Sequence, residues 1–402
     1  MTIYDDARQL EDELAAFRAE LHADPEIGLQ LPRTQARVLR ELEPLGLEIS
    51  VGRATTSVVA VLRGGARDER QPRAVLLRAD MDALPVRERT GLDFASENGA
   101  MHACGHDLHT ASLIGAARLL HHHRDRLAGD VVFMFQPGEE GYDGAGVMVN
   151  EGVLDAAGYR VCAAFAIHVL SAGLPNGVVS TRSGPVMSSS QRLLVRVDGQ
   201  GGHGSMPHRA KDPITAAAEM VTSLQSTVTR SFDVFDPVVV TVGQFQAGTR
   251  HNVIPDHAEF AATLRTFSTE NSAKIRADLE RTLRGVADAH DVGVDVRFEE
   301  ETLLTVNDEF EAGFAADVAR SVLGEHSYRP MPHPLAASED FSRVLTHVPG
   351  AFLTLGATPP GMDPATAPNN HSAYAVFDPA VLPKAAALYA ELALRRLEHE
   401  SA

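Results

Sequence analysis

The stretch MHACGHDLHT, residues 101–110, sets His102, Cys104, His106, Asp107 and His109 close together in a chain that has two cysteines in all. Cys104 and His106 offer a thiolate and an imidazole, both ligands for first-row metals. Gly105 between them lets the backbone fold so that both can face one ion. The same pair also suits a cysteine nucleophile activated by a neighbouring histidine at a helix start. A lone Cys-x-His is more often a buried thiol beside polar loop histidines, so the other chemistry-bearing segments decide its weight.

FQPGEEG, residues 135–141, ends an apolar run with Glu139 and Glu140. One carboxylate can hold a cation while its neighbour serves as a base, where an ordinary Glu pair is a solvated turn. His168 closes VCAAFAIH (161–168), and an imidazole after such a run costs free energy unless its nitrogens find partners, a metal or a polar group of the core. His371 stands in the polar loop APNNHSAYAVFD. Cys104, His106, Glu140, His168 and His371 are five candidates of mixed N, O and S type, too many for one tetrahedral zinc. They suit two divalent ions ~3.5–4 Å apart with a shared ligand. The thiolate leans towards zinc, and manganese, cobalt or nickel accept the same donors.

Short apolar runs must carry these groups. SVVAVL (57–62), RAVLLRAD (73–80), DVVFMFQP (130–137), VCAAFAIH (161–168) and AFLTLGA (351–357) read as buried strands separated by helical patterns, which predicts an α/β sheet of parallel strands with helical crossovers. Three runs end at Asp80 with Asp82, at Glu139 with Glu140, and at His168. Ligands of open α/β sheets bind beyond such carboxyl ends. Helices are expected over 5–22, after Asp107, and over 379–398 with Asp378-Pro379 as its start. HHHRDR (121–126) reads as a solvated helix end, and Cys162 as packing.

From about 190 to 299 the pattern changes to strand QRLLVRVDG, helix 213–230, strands PVVVTVGQF and AEFAATLRTF, helix 270–288 and strand GVDVRFE. This β-α-β-β-α-β order is that of a ferredoxin-like unit. The expected architecture is therefore a mostly parallel α/β domain over 1–186 and 303–402, with a ferredoxin-like α+β domain inserted at 187–302. A chain of 402 residues with 44% hydrophobic content is large enough for two domains. The formal net charge of −18, from 36 basic and 54 acidic residues, argues against nucleic acid and anionic membranes as partners. With no apolar run near the ~20 residues of a membrane helix, no leader pattern and two cysteines, the expectation is a cytoplasmic protein.

LLRADMDALPV (76–86), HACGHDLHT (102–110), FQPGEEG (135–141), IHV (167–169), GGHGSMPH (201–208), NVIPD (252–256) and SEDFS (338–342) stand in an order that resembles the aminoacylase and carboxypeptidase family of metallohydrolases. The resemblance runs over nearly the whole chain. It is nearest to the amidohydrolase branch, with its hippurate hydrolases, N-acyl-amino-acid amidohydrolases and plant auxin-conjugate hydrolases. It implies an aminopeptidase-like catalytic domain with an inserted lid and dimerisation domain. It implies that Cys104 bridges two metal ions, Glu140 and His371 completing one and His106 and His168 the other. Glu139 is then the general base, and Asp82 orients the site from behind, Asp80 being the less certain of the two. In the lid, His203 would stabilise the oxyanion, often across a dimer interface, while Asn252 and Arg265 would hold the substrate carboxylate. Without the resemblance, His203 and Arg265 read as surface residues.

The expected activity is metal-dependent hydrolysis of the amide in a small N-acyl amino acid, hippurate-like or N-acetylated, by a homodimer formed through the lid. Alternatives on the same site are a peptidase or an N-acetyl-diaminopimelate-type deacetylase. A binding protein that has lost catalysis is a third, against which the intact Glu139 argues. Ser205 departs from the alanine or other small residue usual at its place, and TPPGMDPATAPNNHS before His371 is proline-rich and hard to align.

Overall fold

Continuous apolar runs with no polar face become strands covered on both sides. The computed structural model, which describes residues 2–399, shows five of them in its larger sheet: β1 (Val58–Leu62), β2 (Ala74–Asp80), β3 (Asp130–Gln136), β4 (Ala163–Leu170) and β5 (Gly350–Gly356). Among the described residues this sheet has eight strands in the order Glu48–Val51, β1, β3, β2, β4, β5, Val179–Thr181, Tyr328–Pro330. β3, β2, β4 and β5 run parallel to one another. β1 does not: it pairs antiparallel with β3, which corrects the expectation of parallel order for that run. The helix-free linker 63–73 is too short for the crossover that a parallel connection needs, so the chain reverses direction between β1 and β2.

Helices cover the sheet. The segment expected as one helix over 5–22 is two, Ile3–Arg8 and α1 (Glu11–Ala23). The first is opened by a reciprocal bond pair between Thr2 and Asp5. α2 (His106–His122) follows the Cys104 loop, and α3 (Leu382–Glu398) is preceded by the 3-10 turn Pro379–Val381, where Asp378 accepts the Ala380 N–H. α2 packs against α1 and α3, and Leu113, Ala117, Ala386, Tyr389 and Ala393 are among the residues that join the sheet's core. Among the described residues, no helix is long and apolar enough to cross a membrane.

The contacts divide the chain into two units, Met1–Val186 with Val306–His333 and Asp340–Ala402, and Met187–Thr305 with Pro334–Glu339. The second unit holds an antiparallel sheet in the order Val238–Ala247, His257–Thr266, Ser189–Asp198, Gly293–Thr302. In chain order these strands are second, third, first and fourth, the ferredoxin-like arrangement. Helices Pro213–Ser231 and Thr269–His290 supply Ala217, Met220, Leu224, Ile275, Leu279 and Leu283 to its core. The opposite face is exposed and carries ion pairs such as Arg196 with Glu259 and Arg297 with Asp295.

Candidate metal centre

β2, β3 and β4 are parallel neighbours, so their carboxyl ends share one edge of the sheet. β2 ends at Asp80 and leads to Asp82; β3 leads through Pro137-Gly138 to Glu139 and Glu140; β4 carries His168. α2 begins at His106, directly after Cys104-Gly105. Only glycine serves at 105: φ is +82° and a Cβ there would stand 2.4 Å from Val169 Cγ2. The loop after β5 adds His371, whose N–H donates to Ala103 O at 2.8 Å.

These pieces meet. Cys104 Sγ lies 3.4 Å from His168 Nε2 and 3.2 Å from His371 Nε2. Glu140 Oε1 lies 3.2 Å from His371 Nε2 and 3.9 Å from His106 Nε2. Two of the groups whose ligand atoms lie within 4.8 Å of one another share Cys104, namely Cys104–His106–His168 and Cys104–Glu140–His371. Cys104, His106 and His168 are buried, Glu140 is half-buried and His371 is exposed.

Asp82 organises the glutamates through their backbone. Its Oδ1 accepts the Glu139 N–H at 2.9 Å and its Oδ2 the Glu140 N–H at 3.0 Å, while Oδ1 stands 3.5 Å from His106 Nδ1. The Glu139 carboxylate falls within the same 4.8 Å radius as His106 and Glu140. Asp80 meets Arg78 Nη1 at 2.6 Å and His109 Nδ1, and its Oδ2 stands 3.7 Å from His106 Nε2. Arg78 in turn meets Gln136 and Asp340, and Asp340 takes the Gln136 amide and the Ala145 N–H.

Hydrogen bonds also set the imidazole tautomers. His168 donates from Nδ1 to Val169 O at 2.8 Å, which leaves Nε2 as the nitrogen that faces Cys104. His109 accepts the Val169 N–H at Nε2, 2.7 Å, and donates from Nδ1 to Asp80, so both of its nitrogens are used. Burial lowers its pKa to about 4 against the pull of Asp80, and it stays neutral.

The electrostatics favour a cation. Burial works against charge on Cys104, yet His168, His106 and His371 hold its thiol well below the usual range. Cys104 and Glu140 together hold His371 up, to about 10. His106 is raised well above its ordinary value, burial being outweighed by Asp80, Asp82 and Cys104. Protons thus collect where anionic ligands crowd. Both ring nitrogens of His106 are buried without a hydrogen-bond partner among the described residues. A divalent ion supplies that partner and displaces those protons, so the S, N and O donors here fit one.

In the second unit, His203 lies in a short strand, Gly202–His203, paired with Val253–Ile254, and the Gly204 N–H donates to Asn252 O at 2.9 Å. The Ser205 N–H donates to His203 Nδ1 at 3.2 Å, which places the ring proton on Nε2. His203 is exposed. Arg265 stands on His257–Thr266, with Nη1 buried and unpartnered among the described residues, and burial lowers its pKa.

The model of peptidase family M20/M25/M40 matches residues 76–395. The chain belongs to this family. It is a hydrolase. It is 38% identical over 391 residues to IAA-amino acid hydrolase ILR1-like 4 of Arabidopsis thaliana, with 96% of this chain and 86% of that protein covered. It is 37% identical over 388 residues to N-acetylcysteine deacetylase of Bacillus subtilis, covering 96% and 97%. Among solved structures, the Bacillus subtilis YXEP protein, a dinuclear metal-binding peptidase of the M20 family, matches with a TM-score of 0.83 at 32% identity over 98% of this chain and 99% of that one.

Several residues around this M20 centre escape a reading by residue type. Arg78 had a signal, a charge inside a buried strand that must find a partner. Arg18 and His22 on α1 both bind Asp107, at 2.5 and 2.8 Å, and His22 also meets Glu88 at 3.1 Å. A basic residue on the buried face of α1 was the clue there. Asn370 gave none, being an ordinary polar residue in a proline-rich loop.

Proposed function

We propose that this M20 member hydrolyses the amide of N-acyl amino acids with two divalent ions, zinc being the simplest choice for a thiolate-containing set. The observation that carries the reading is the sharing of Cys104 between two ligand triads. Cys104 would be shared by the two ions, with Glu140 and His371 holding one and His106 and His168 the other. Bound there, the ions would polarise the scissile carbonyl and acidify the attacking water.

Glu139 would take a proton from the attacking water as the water oxygen joins the carbonyl carbon, then pass it to the nitrogen as the C–N bond breaks. The products are a carboxylic acid and a free amino acid. Asp82 holds Glu139 and Glu140 in place through their N–H groups. In the lid, His203 presents an Nε2 donor to the oxyanion, and Asn252 and Arg265 hold the substrate carboxylate. Homodimerisation through the lid is part of this reading. The free Cys104 and Cys162 suit a cytoplasmic setting. The substrate class is supported by relatives named for IAA-amino acids and N-acetylcysteine.

The test is elemental analysis together with hydrolysis of hippurate and a panel of N-acyl amino acids, dipeptides and N-acetyl-diaminopimelate, before and after chelation. About two metals per chain, with N-acyl amino acids turned over best and activity restored by metal, is the expected result. Full activity after metal removal would return Cys104 to the role of nucleophile. A preference for dipeptides or N-acetyl-diaminopimelate would move the substrate class.

A further inference from the structure

Asn370 immediately precedes His371, and its side-chain amide is used at both ends. Oδ1 accepts the Ser171 N–H at 2.9 Å. Nδ2 donates one hydrogen to Val169 O at 3.0 Å and shares the other between Cys104 O at 3.2 Å and Cys104 Sγ at 3.7 Å. The partners fix the amide's orientation, because a backbone N–H requires the oxygen and two carbonyls require the nitrogen.

The Val169 carbonyl is also the acceptor that sets the His168 tautomer. One amide therefore touches the segment bearing Cys104, supports the carbonyl that orients His168, and adjoins His371. His371 itself has φ +71°, a left-handed conformation uncommon for a residue with a side chain. Such a backbone persists where its surroundings over-determine it. The Asn370 bonds on one side and the His371 N–H bond to Ala103 O on the other do so.

We infer that Asn370 is a positioning residue of the metal centre, clamping the Cys104, His168 and His371 segments in register and directing an N–H at the Cys104 sulfur. The inference rests on the metal-centre reading above. An N–H directed at a thiolate stabilises its lone pair, so losing it raises the energy of sulfur-to-metal charge transfer's donor orbital and moves that band to longer wavelength.

The experiment uses full-length protein loaded with cobalt(II), comparing wild type with Asn370→Ala and with Asn370→Leu, the latter close in volume but without donors. Cobalt affinity is measured by competition with a chromogenic chelator, and the near-ultraviolet thiolate-to-cobalt band is recorded at full occupancy. Melting of the metal-free proteins checks folding. Both variants should still melt cooperatively, bind cobalt ~10–100-fold more weakly, and show the band at longer wavelength. Unchanged affinity, or an unmoved band in the occupied protein, overturns the inference. Wild type that binds no cobalt, or binds it without a thiolate band, overturns the metal-centre reading itself, and the two failures are thereby told apart.

Discussion

Cys104 Sγ and His371 Nε2 stand 3.2 Å apart although 267 positions separate them in the chain. Nothing local brings them together. The contact depends on Gly105 at the start of α2, on the left-handed backbone of His371, and on β5 seated beside β4. It is therefore a sensitive reporter of whether the centre has assembled.

Removing the proposed base should separate binding from chemistry. We predict that Glu139→Gln keeps its metal content by elemental analysis and loses kcat by ~10²–10⁴-fold, the usual worth of a positioned base. Cys104→Ser should instead lose metal along with activity. A Cys104→Ser protein with full metal content would refute the bridging assignment.

Asp82 acts through the two N–H groups it accepts. Replacing it with alanine frees the Pro137–Gly141 turn and leaves the ligand atoms themselves in the sequence. The prediction is a ~10–100-fold loss in kcat or metal affinity, measured by steady-state kinetics and chelator competition. Wild-type values in both would show that the turn holds without it.

Metal affinity should rise with pH. Cys104 and Glu140 hold His371 protonated up to about 10 in the metal-free site, and a metal must displace that proton. Between pH 6 and 9 the cobalt dissociation constant should fall as pH increases, by up to about tenfold per unit for each proton released. Isothermal titration in buffers of different ionisation enthalpy would count the protons. A pH-independent constant with no proton release contradicts this.

His22 ties stability to pH in the opposite sense. Burial opposes its charge, but Asp107 and Glu88 raise its pKa to about 9 from an ordinary 6.5. A pKa raised on folding stabilises the fold fully below about 6.5, and that contribution is lost as pH rises through about 9. At ~1.4 kcal/mol per unit it amounts to a few kcal/mol. Urea unfolding of wild type and His22→Gln should show a large gap at pH 6 that narrows by pH 9.5. A gap constant across that range would mean that His22 contributes by packing alone.

What could be read from residue order, and what could not, follows from physics. β2, β3, β4 and β5 stand out because strands covered on both faces are continuous apolar runs. The direction of β1 does not, since it is decided by a linker too short for a crossover rather than by the strand's own residues. The helix Pro32–Leu42 is hard to see because Thr34, Val38 and Leu42 are all that it buries. In the site, thiol, imidazole and carboxylate are visible by type, whereas their spacing comes from the register of β2 against β3 and β4. Asn370 is invisible for the reverse reason: its importance lies entirely in what it touches.

β5 lies inside the sheet beside β4, yet about 180 residues are synthesised between the end of β4 and its start. At ~5–20 residues per second that interval lasts roughly 10–40 s. Throughout it, Cys104, His106, Glu140 and His168 exist in a chain that still lacks β5 and the loop bearing His371. A growing polypeptide therefore holds at most an incomplete set of donors. The placement of β5 thus leaves the Cys104–Glu140–His371 triad incomplete until its loop has been made, while the residues of the Cys104–His106–His168 triad are present much earlier.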